Sequence, residues 1–127
     1  RKLGILTKAD DLYLSFDEIK EISAMGFEIG SHGVSHTLLS RLDKEKQREE
    51  LSSSKKFLEY LISKEINSFC YPYGGKKSYN KHTLRLLKEV DYHNAISVEQ
   101  RNINKETIKN NLFEIPRYDC NQIKNLF

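Results

Sequence analysis

The chain has 127 residues, of which 38% are apolar and 31% are charged, and its formal net charge at pH 7 is +3. These values predict one folded domain over residues 1–127 and argue against a disordered chain. Basic residues alternate with acidic ones along the apparent helices, so we expect solvated helix faces and no nucleic-acid partner. Because no apolar run approaches roughly 18 residues, we also expect no membrane span.

The two cysteines and the start of the chain say little about the cellular compartment. Cys70 and Cys120 form neither a CxxC pair nor a disulfide framework, and we interpret Cys70 as a small core residue. The chain begins at Arg1 rather than Met, and no signal peptide is visible. We therefore expect an N-terminus that has been processed or cut from a longer protein.

The first predicted elements alternate between strand and helix. An apolar segment at 2–7 predicts a buried strand. Ser15 is a good N-cap, and Glu18 completes a capping box with it, so we predict a helix that begins here and stops at Gly26. Residues 27–31 then predict a second strand that ends in a loop.

The longest predicted helix covers residues 42–65, and its apolar stripe is weakest at three consecutive serines. The stripe consists of Leu51, Phe57, Leu58, Leu61 and Ile62. The remaining elements are strand, helix, strand, helical turn and strand, at 66–70, 80–90, 94–98, 105–111 and 112–116. This order favours an α/β fold with a parallel sheet and crossover helices. About five strands are too few to close an eight-stranded barrel.

Two histidines, His32 and His36, lie four residues apart directly after the second predicted strand. Neutral imidazole is a common ligand of zinc and similar divalent ions, and a helical turn between the two residues would let both rings point the same way. Pairs at this spacing also arise by chance. Their position favours a metal, because α/β folds collect ligands where their strands end.

An aromatic loop follows the next predicted strand and consists of Tyr71, Pro72, Tyr73, Gly74 and Gly75. The proline fixes the backbone, and the glycines permit a tight turn and close approach of a ligand to main-chain N–H groups. Such N–H groups can stabilise an oxyanion. The alternative is an ordinary aromatic-rich turn.

A charged pair, Arg117 and Asp119, follows the last predicted strand. Arg117 could orient a carboxylate or bind an anionic group of a substrate. The alternative is a surface salt bridge between the two side chains.

Taken in order, three segments resemble the polysaccharide deacetylase family, carbohydrate esterase family 4: GFEIGSHGVSHTLLSRLDKE, FCYPYGG and FEIPRYD. The resemblance runs from the helix at Ser15 to the strand at Arg117. It implies a partial distorted (β/α) barrel that lacks the first strand. It also implies metal-dependent removal of N- or O-acetyl groups from a polysaccharide or oligosaccharide, with a water attacking the acetyl carbonyl.

The resemblance also assigns roles to individual residues. His32 and His36 match the two histidines that, with an aspartate, hold the family's divalent metal, usually zinc. Tyr73 matches the groove tyrosine whose backbone N–H helps to hold the oxyanion. Pro72 and Gly74 match the turn residues of that motif, and Tyr71 belongs to the same substrate-binding groove.

The chain departs from the family's pattern in its acidic pair. No Thr-Phe-Asp-Asp strand precedes the first helix, and Asp10 and Asp11 lie too far along the chain to match it. We expect that strand to lie upstream, and we expect little deacetylase activity from this chain without it. Arg117 is the candidate that positions the catalytic base. No late Leu-x-His motif is evident, which leaves His82 and His93 as alternatives for the general acid.

The partner implied by the resemblance is an acetylated polysaccharide or oligosaccharide, met in the cell envelope or outside the cell, with a cytoplasmic location also open. One alternative is a non-catalytic carbohydrate-binding or structural relative that has lost the base. Another is a metal site completed by a second chain. A sheet without its first strand exposes an edge, and exposed edges invite pairing, so a dimer through this edge is a further expectation.

Overall fold

A computed structural model describes residues 13–119 of the chain. Its helices are α1 (Phe16–Ala24), α2 (Lys44–Ile62), α3 (Lys81–Glu89) and α4 (Lys105–Asn110), and its strands are β1 (Ser68–Cys70), β2 (Asn94–Val98) and β3 (Ile115–Arg117). Single turns of 3-10 helix lie at Leu39–Arg41 and Leu112–Glu114. Within this range no helix combines the length and the apolar content needed to cross a membrane. The predicted strand at 2–7, Asp10, Asp11 and Cys120 lie outside the described residues.

The three strands form one parallel sheet in the order β1-β2-β3. Helix α3 connects β1 to β2, and α4 connects β2 to β3, so each connection crosses over between parallel neighbours. This arrangement confirms the predicted α/β class with a parallel sheet. It also gathers the carboxyl ends of the strands at one edge, where Cys70, Val98 and Arg117 lie. The described strands form an open sheet, and the distorted barrel stays a prediction.

The second predicted strand, at 27–31, is wrong in its extent. Within this segment only Ser31 pairs with the sheet, through a parallel bridge to Phe69. The N–H of Ser31 donates to the carbonyl of Ser68 at 2.9 Å, and the N–H of Cys70 donates to the carbonyl of Ser31 at 2.8 Å. The segment therefore joins β1 at one residue and lacks the run of paired backbone groups that defines a strand.

The predicted ends of the first helix agree with the structure of α1. Ser15 and Glu18 form the predicted capping box, in which the N–H of Ser15 donates to the Glu18 carboxylate at 2.7 Å. Gly26 adopts φ 95° just after α1 ends, a left-handed conformation that glycine tolerates. The last predicted strand is displaced, because residues 112–114 form a 3-10 turn and β3 extends through Arg117.

Helix α2 buries a more polar face than its sequence pattern predicts. Its buried residues are Gln47, Leu51, Ser54 and Lys55. By contrast, Phe57 of the predicted stripe is 47% exposed. Gln47 Oε1 accepts from Thr83 Oγ1 at 2.6 Å, and Lys55 Nζ donates to the carbonyl of Ile66 at 2.5 Å. Buried polar groups are stable when they are paired in this way, so hydrogen bonds help to dock α2 on α3 and on the segment before β1.

The hydrophobic core combines side chains from α2, α3, β1 and β2. Its aromatic centre is Phe69, whose ring lies 5.5 Å from that of Tyr71 and 5.4 Å from that of Tyr92, centroid to centroid. The other buried apolar residues are Leu39, Leu51, Ile66, Tyr79, Leu86, Leu87 and Ala95. The core packs against β1, and β1 in turn carries the candidate site at its carboxyl end.

Candidate functional site

The predicted histidine pair lies in a loop that starts beside the carboxyl end of β1. Residues 31–36 are called the histidine loop here. Its first residue, Ser31, bridges to β1, and its Oγ donates to Ser54 Oγ of α2 at 2.7 Å. Ser31 is only 1% exposed, so both contacts are shielded from water. The loop therefore starts from a fixed position on the sheet and on α2.

The His32 ring is held by the backbone of β1. Its Nδ1 lies 2.7 Å from the carbonyl oxygen of Cys70. A carbonyl oxygen only accepts hydrogen bonds, so Nδ1 is the donor, and in the neutral imidazole Nε2 is then the nitrogen with the free lone pair. Metal-binding histidines are commonly held in this way, with one ring nitrogen bonded to the protein and the other on the ion. His32 is also exposed, so a ligand can approach it.

His36 brings its ring back to that of His32. It adopts φ 53°, a left-handed conformation that costs a residue with a side chain about 1 kcal/mol. Its ring centroid lies 4.9 Å from that of His32 and 4.9 Å from that of Tyr73, so the three rings form a row. Two histidines that share one ion have to bring their rings close together. The observed spacing fits the predicted metal pair.

The described residues bring together two histidines, whereas a catalytic zinc ion would be expected to have three protein ligands. Within residues 13–119 no group of three or more His, Cys, Asp or Glu side chains converges. Catalytic zinc sites normally have three protein ligands and one place for water or substrate. The donor set of His32 and His36, with the tautomer of His32 fixed, suits a zinc-like ion, and the carboxylate part has no counterpart in the described range.

The next predicted site segment, residues 71–75, is called the tyrosine turn. Tyr71 is 1% exposed, and its ring stacks on that of Tyr79 with 4.1 Å between the centroids. Its hydroxyl donates to the carbonyl of Phe113 at 2.7 Å, and burial raises the pKa of this hydroxyl well above its usual value. Pro72 is also fully buried. The prediction that these two side chains contact substrate is at odds with their burial, which assigns them a supporting role beneath the turn.

Tyr73, by contrast, is exposed beside the histidines. Its side chain is 64% exposed and its backbone adopts φ 64°. Its carbonyl accepts from the N–H of Gly75 at 3.0 Å. In the part of the chain that the structure describes, the N–H of Tyr73 has no hydrogen-bond acceptor. A backbone donor of this kind is what the predicted oxyanion contact requires.

Gly74 fixes the position of the tyrosine turn on β2. It adopts φ 71°, and its carbonyl accepts from the N–H of Val98 at 2.7 Å. A Cβ atom at this position would lie 2.2 Å from Val98 Cγ2, well inside contact distance. The residue therefore has to be glycine for two reasons, the backbone conformation and the lack of space.

Arg117 reaches the same residue that holds His32. It is the last residue of β3 and is exposed, and its Nη2 lies 3.9 Å from Cys70 Sγ. The parallel sheet thus brings His32 and Arg117 to the same residue, Cys70, although they are far apart in the sequence. Asp119, the other member of the predicted pair, is partly exposed two residues beyond β3.

The other two histidines lie elsewhere. His93 is exposed at the amino end of β2, where its N–H donates to the carbonyl of Asn67 at 2.8 Å. This end of the sheet is opposite to the histidine loop. His82 is exposed in the first turn of α3, and its N–H donates to the capping oxygen of Asn80 at 2.9 Å. Neither position supports a role as general acid in this arrangement.

One residue that shapes the site, Glu50 of α2, has no recognisable signal in the sequence. Its carboxylate accepts from the N–H groups of Val34 and Ser35 at 2.8 and 3.0 Å, and from the hydroxyl of Ser35. Burial raises the pKa of Glu50, but the hydrogen bonds from Ser35 and Val34 outweigh it and leave the pKa below its ordinary value. In the sequence, Glu50 is one of many charges along α2, and its partners lie 15 and 16 residues away.

A family model described as polysaccharide deacetylase matches residues 7–95. Among curated proteins, the chain is similar to YxkH of Bacillus subtilis (strain 168), a provisionally assigned polysaccharide deacetylase. The two are 28% identical over 87 residues, which cover 68% of this chain and 30% of YxkH. The residues that the family model matches include the histidine loop and the tyrosine turn.

Solved structures show the same fold. The Streptococcus pyogenes deacetylase PplD, solved in complex with acetate, matches with a TM-score of 0.73 and 24% identity over 83% of this chain and 44% of PplD. BC0361, a polysaccharide deacetylase from Bacillus cereus, matches with a TM-score of 0.72 and 25% identity over 83% of this chain and 32% of BC0361. The chain therefore spans less than half the length of YxkH, PplD and BC0361.

The same fold also occurs without activity. BA3943 of Bacillus anthracis, a CE4 family pseudoenzyme, matches with a TM-score of 0.57 and 16% identity over 63% of this chain and 27% of BA3943. A shared fold does not by itself establish a reaction. Activity has to be argued from the residues of the site.

Proposed function

Because this chain belongs to the polysaccharide deacetylase family, we propose that it forms part of a site that hydrolyses acetyl groups on a polysaccharide or oligosaccharide. The observation that carries the proposal is the row of rings formed by His32, His36 and Tyr73 at the carboxyl edge of a parallel sheet. In the net reaction, water oxygen bonds to the acetyl carbon and the bond from that carbon to the sugar nitrogen or oxygen breaks. The leaving atom takes a proton, which yields acetate and a free amine or hydroxyl.

In this proposal, His32 and His36 hold a divalent metal, and zinc is the first candidate. The hydrogen bond from Nδ1 of His32 to Cys70 fixes the ring and, in the neutral imidazole, leaves Nε2 as the nitrogen that can bind an ion, which favours ligation. When bound there, such an ion would polarise the acetyl carbonyl and lower the pKa of a water molecule. Two histidines alone bind an ion weakly, so the proposal requires a further carboxylate ligand from outside residues 13–119.

The tyrosine turn supplies the contacts to the reacting group in this proposal. The N–H of Tyr73 donates to the carbonyl oxygen as negative charge develops on it, an interaction that commonly contributes several kcal/mol to the barrier reduction. The exposed ring of Tyr73 offers an apolar face to a sugar ring. Gly74 keeps the backbone of the turn against β2, so that the N–H stays in place during the reaction.

We assign Arg117 the role of orienting a carboxylate, either the catalytic base or an acidic group of the substrate. Its guanidinium lies next to Cys70 and therefore on the same edge as His32. A guanidinium offers several donors in a fixed plane and stays charged at all relevant pH values, which suits it to hold a carboxylate.

The proposal is tested by metal binding and by acetate release with the 127-residue chain. We expect Zn²⁺ binding that His32→Ala and His36→Ala each weaken by more than 100-fold, which exceeds the loss typical of outer-shell partners. His82→Ala is the matched control, since His82 is an exposed histidine of α3 and should bind Zn²⁺ like the unsubstituted chain. Unchanged binding in both His32→Ala and His36→Ala would contradict the metal assignment.

Because the described residues supply two ligands, we also propose that this chain alone releases little acetate from acetylated chitooligosaccharide, with or without added zinc or cobalt. A longer chain that adds an aspartate pair should release acetate at least 100-fold faster. Rapid turnover by the 127-residue chain would contradict the requirement for a further carboxylate.

A second candidate function is carbohydrate binding without catalysis. The observation that favours it is the exposed ring of Tyr73, which can stack on a sugar ring whether or not a metal is bound. Oligosaccharide binding that persists in EDTA and falls in Tyr73→Ala, together with no acetate release by the longer chain, would favour this candidate. Loss of binding in EDTA would favour the hydrolytic one.

A further inference from the structure

The two histidines of the candidate metal site are held by different means. The ring of His32 is hydrogen-bonded to Cys70 of β1. Among residues 13–119, the ring of His36 contacts the rings of His32 and Tyr73, and no hydrogen bond reaches it. Ring contacts of this kind contribute about 1 kcal/mol and leave some rotational freedom. The position of His36 is therefore set mainly by the backbone that leads to it.

That backbone is held by one carboxylate. Oε2 of Glu50 accepts from the N–H of Val34 at 2.8 Å and from the N–H of Ser35 at 3.0 Å, while Oε1 accepts from the hydroxyl of Ser35. Both carboxylate oxygens are thus engaged by the two residues directly before His36. Hydrogen bonds to an ionised acceptor are about twice as strong as neutral ones.

The loop also passes unusually close to this carboxylate. Gly33 adopts φ 82°, and a Cβ atom on it would lie 3.1 Å from Glu50 Oε2. Most side chains at this position would push the loop away from the carboxylate or prevent the turn. A glycine between His32 and Val34 therefore allows the loop to close over Glu50.

Glu50 itself is firmly placed. The next residue in α2, Leu51, is completely buried in the core. The carbonyl of Glu50 accepts from Ser54 Oγ at 2.7 Å, and Ser54 Oγ accepts in turn from Ser31 Oγ at 2.7 Å. The start of the histidine loop and its middle are thus both tied to one turn of α2. A displacement of either end of the loop would break contacts with the same helix.

From these contacts we infer that Glu50 is a positioning residue for the second metal-binding histidine. Its carboxylate holds Val34 and Ser35 so that the ring of His36 stays beside that of His32. Glu50 acts through the loop backbone and itself touches neither ring. The inference rests on the proposed function of His32 and His36, because it assigns Glu50 a purpose toward the same ion.

The first test measures Zn²⁺ affinity of the full 127-residue chain by titration calorimetry. Glu50→Ala should weaken binding by about 10- to 100-fold, the loss typical of residues that support metal ligands. Glu50→Gln should bind close to the unsubstituted chain, because its Oε1 can accept both N–H groups and its Nε2 can donate to Ser35 Oγ. Glu49→Ala is the matched control, an exposed glutamate of the same helix whose removal should leave affinity unchanged.

The second test needs no metal. In long-range ¹H–¹⁵N spectra of the imidazoles, Glu50→Ala should shift or broaden the ring signals of His36 while the signals of His32 keep the Nδ1–H tautomer pattern. A merely structural role would move signals throughout α2 and lower the melting temperature, with both histidines affected alike. If Glu50→Ala unfolds, Ser35→Ala replaces it, since it removes one of the three donors at an exposed position and should give a smaller shift in the same signals.

The outcomes separate this inference from the function on which it rests. Unchanged Zn²⁺ affinity and unchanged His36 signals in Glu50→Ala would overturn the role of Glu50, as would a Glu50→Gln variant that behaves like Glu50→Ala. If His32→Ala and His36→Ala both bind Zn²⁺ like the unsubstituted chain, the metal assignment of the proposed function fails. In that case the metal-free spectra still decide whether Glu50 positions His36.

Discussion

The histidine loop and the tyrosine turn meet in one row of rings, but they are stabilised in different ways. The histidine loop is exposed from residue 32 to residue 36 except at the half-buried Gly33, and it is held by the hydrogen bonds that it donates to Cys70 and Glu50. The tyrosine turn is built on Tyr71 and Pro72, which are fully buried in the core. One half of the candidate site depends on directional polar contacts and the other on packing.

Because of this difference, substitutions in the two segments should have different effects on stability and on the site. Burial of a large side chain contributes about 1.5–3 kcal/mol to folding, and close packing adds the cost of any void or overlap. A single hydrogen bond contributes about 1 kcal/mol net, and an exposed one less. Changes in the tyrosine turn should therefore lower the free energy of unfolding, whereas changes in the histidine loop should alter the site and leave stability nearly intact.

The largest effect on stability is expected for Gly74→Ala. The new Cβ would lie 2.2 Å from Val98 Cγ2, and the residue would have to keep φ 71°. We expect a loss of at least about 3 kcal/mol in the free energy of unfolding, from overlap and left-handed strain together. Chemical denaturation measures the loss. Gly75→Ala is the control, because no atom lies within 4 Å of its Cβ, and it should change stability by less than about 1 kcal/mol. Equal losses in the two variants would contradict the packing role of the turn.

A smaller effect is expected for Tyr71→Phe, which removes the hydrogen bond to the carbonyl of Phe113 and should cost about 1 kcal/mol at neutral pH. Burial raises the pKa of Tyr71 in the folded state. Its stabilisation is therefore complete below about pH 10 and is lost as the pH rises toward the folded-state pKa.

Denaturation curves recorded from neutral pH to above about pH 10 measure this dependence. As the pH rises through this range, Tyr71→Phe should lose less stability than the unsubstituted chain, since phenylalanine carries no titrating group. Tyr60→Phe is the control, because Tyr60 is 87% exposed and should leave the alkaline slope unchanged. An alkaline slope that Tyr71→Phe does not reduce would show that the hydroxyl is accessible to water.

The smallest effect is expected for Glu50→Gln, in the histidine loop. In the unsubstituted chain, burial raises the pKa of Glu50, but the hydrogen bonds from Ser35 and Val34 outweigh this effect and leave the pKa below its ordinary value. The stabilisation is therefore present above the ordinary pKa and is lost as the pH falls below about 4.5. Because Glu50 is partly exposed, the loss should stay below about 1 kcal/mol. Glu50→Gln should lack this acid dependence, while Glu49→Gln should keep it, and an acid dependence that both variants share would contradict the assignment.

Local signals in the sequence predicted much of the fold. The capping box at Ser15 and the stop at Gly26 depend on neighbouring residues, and both agree with the structure. Alternation of strands and helices predicted the parallel sheet, and a parallel sheet gathers strand ends at one edge. The histidines do lie beside the carboxyl end of a strand, but that strand is β1, and the strand predicted directly before them is reduced to one bridge at Ser31.

What the sequence could not predict depends on contacts between distant residues. Tyr71 looked like a groove residue from its motif, but its ring fits a core space made by Phe69 and Tyr79. Helix α2 has a buried polar face because Gln47 finds Thr83 in α3, a partner no periodicity can reveal. Glu50 is inconspicuous for the same reason, since an acidic residue in a charged helix has no special pattern.

The contacts of Cys70 determine how the candidate site tolerates insertions and deletions elsewhere in the chain. Its N–H donates to the carbonyl of Ser31, its carbonyl accepts from His32, and its sulfur lies 3.9 Å from Arg117 Nη2. Two segments, the histidine loop and β3, are thereby positioned against one residue of β1. Insertions or deletions in the connection at 103–111 lie outside these contacts and would leave His32 and Arg117 at the same mutual distance. Length variation in this connection can therefore accumulate without disturbing the spacing of the chemical groups.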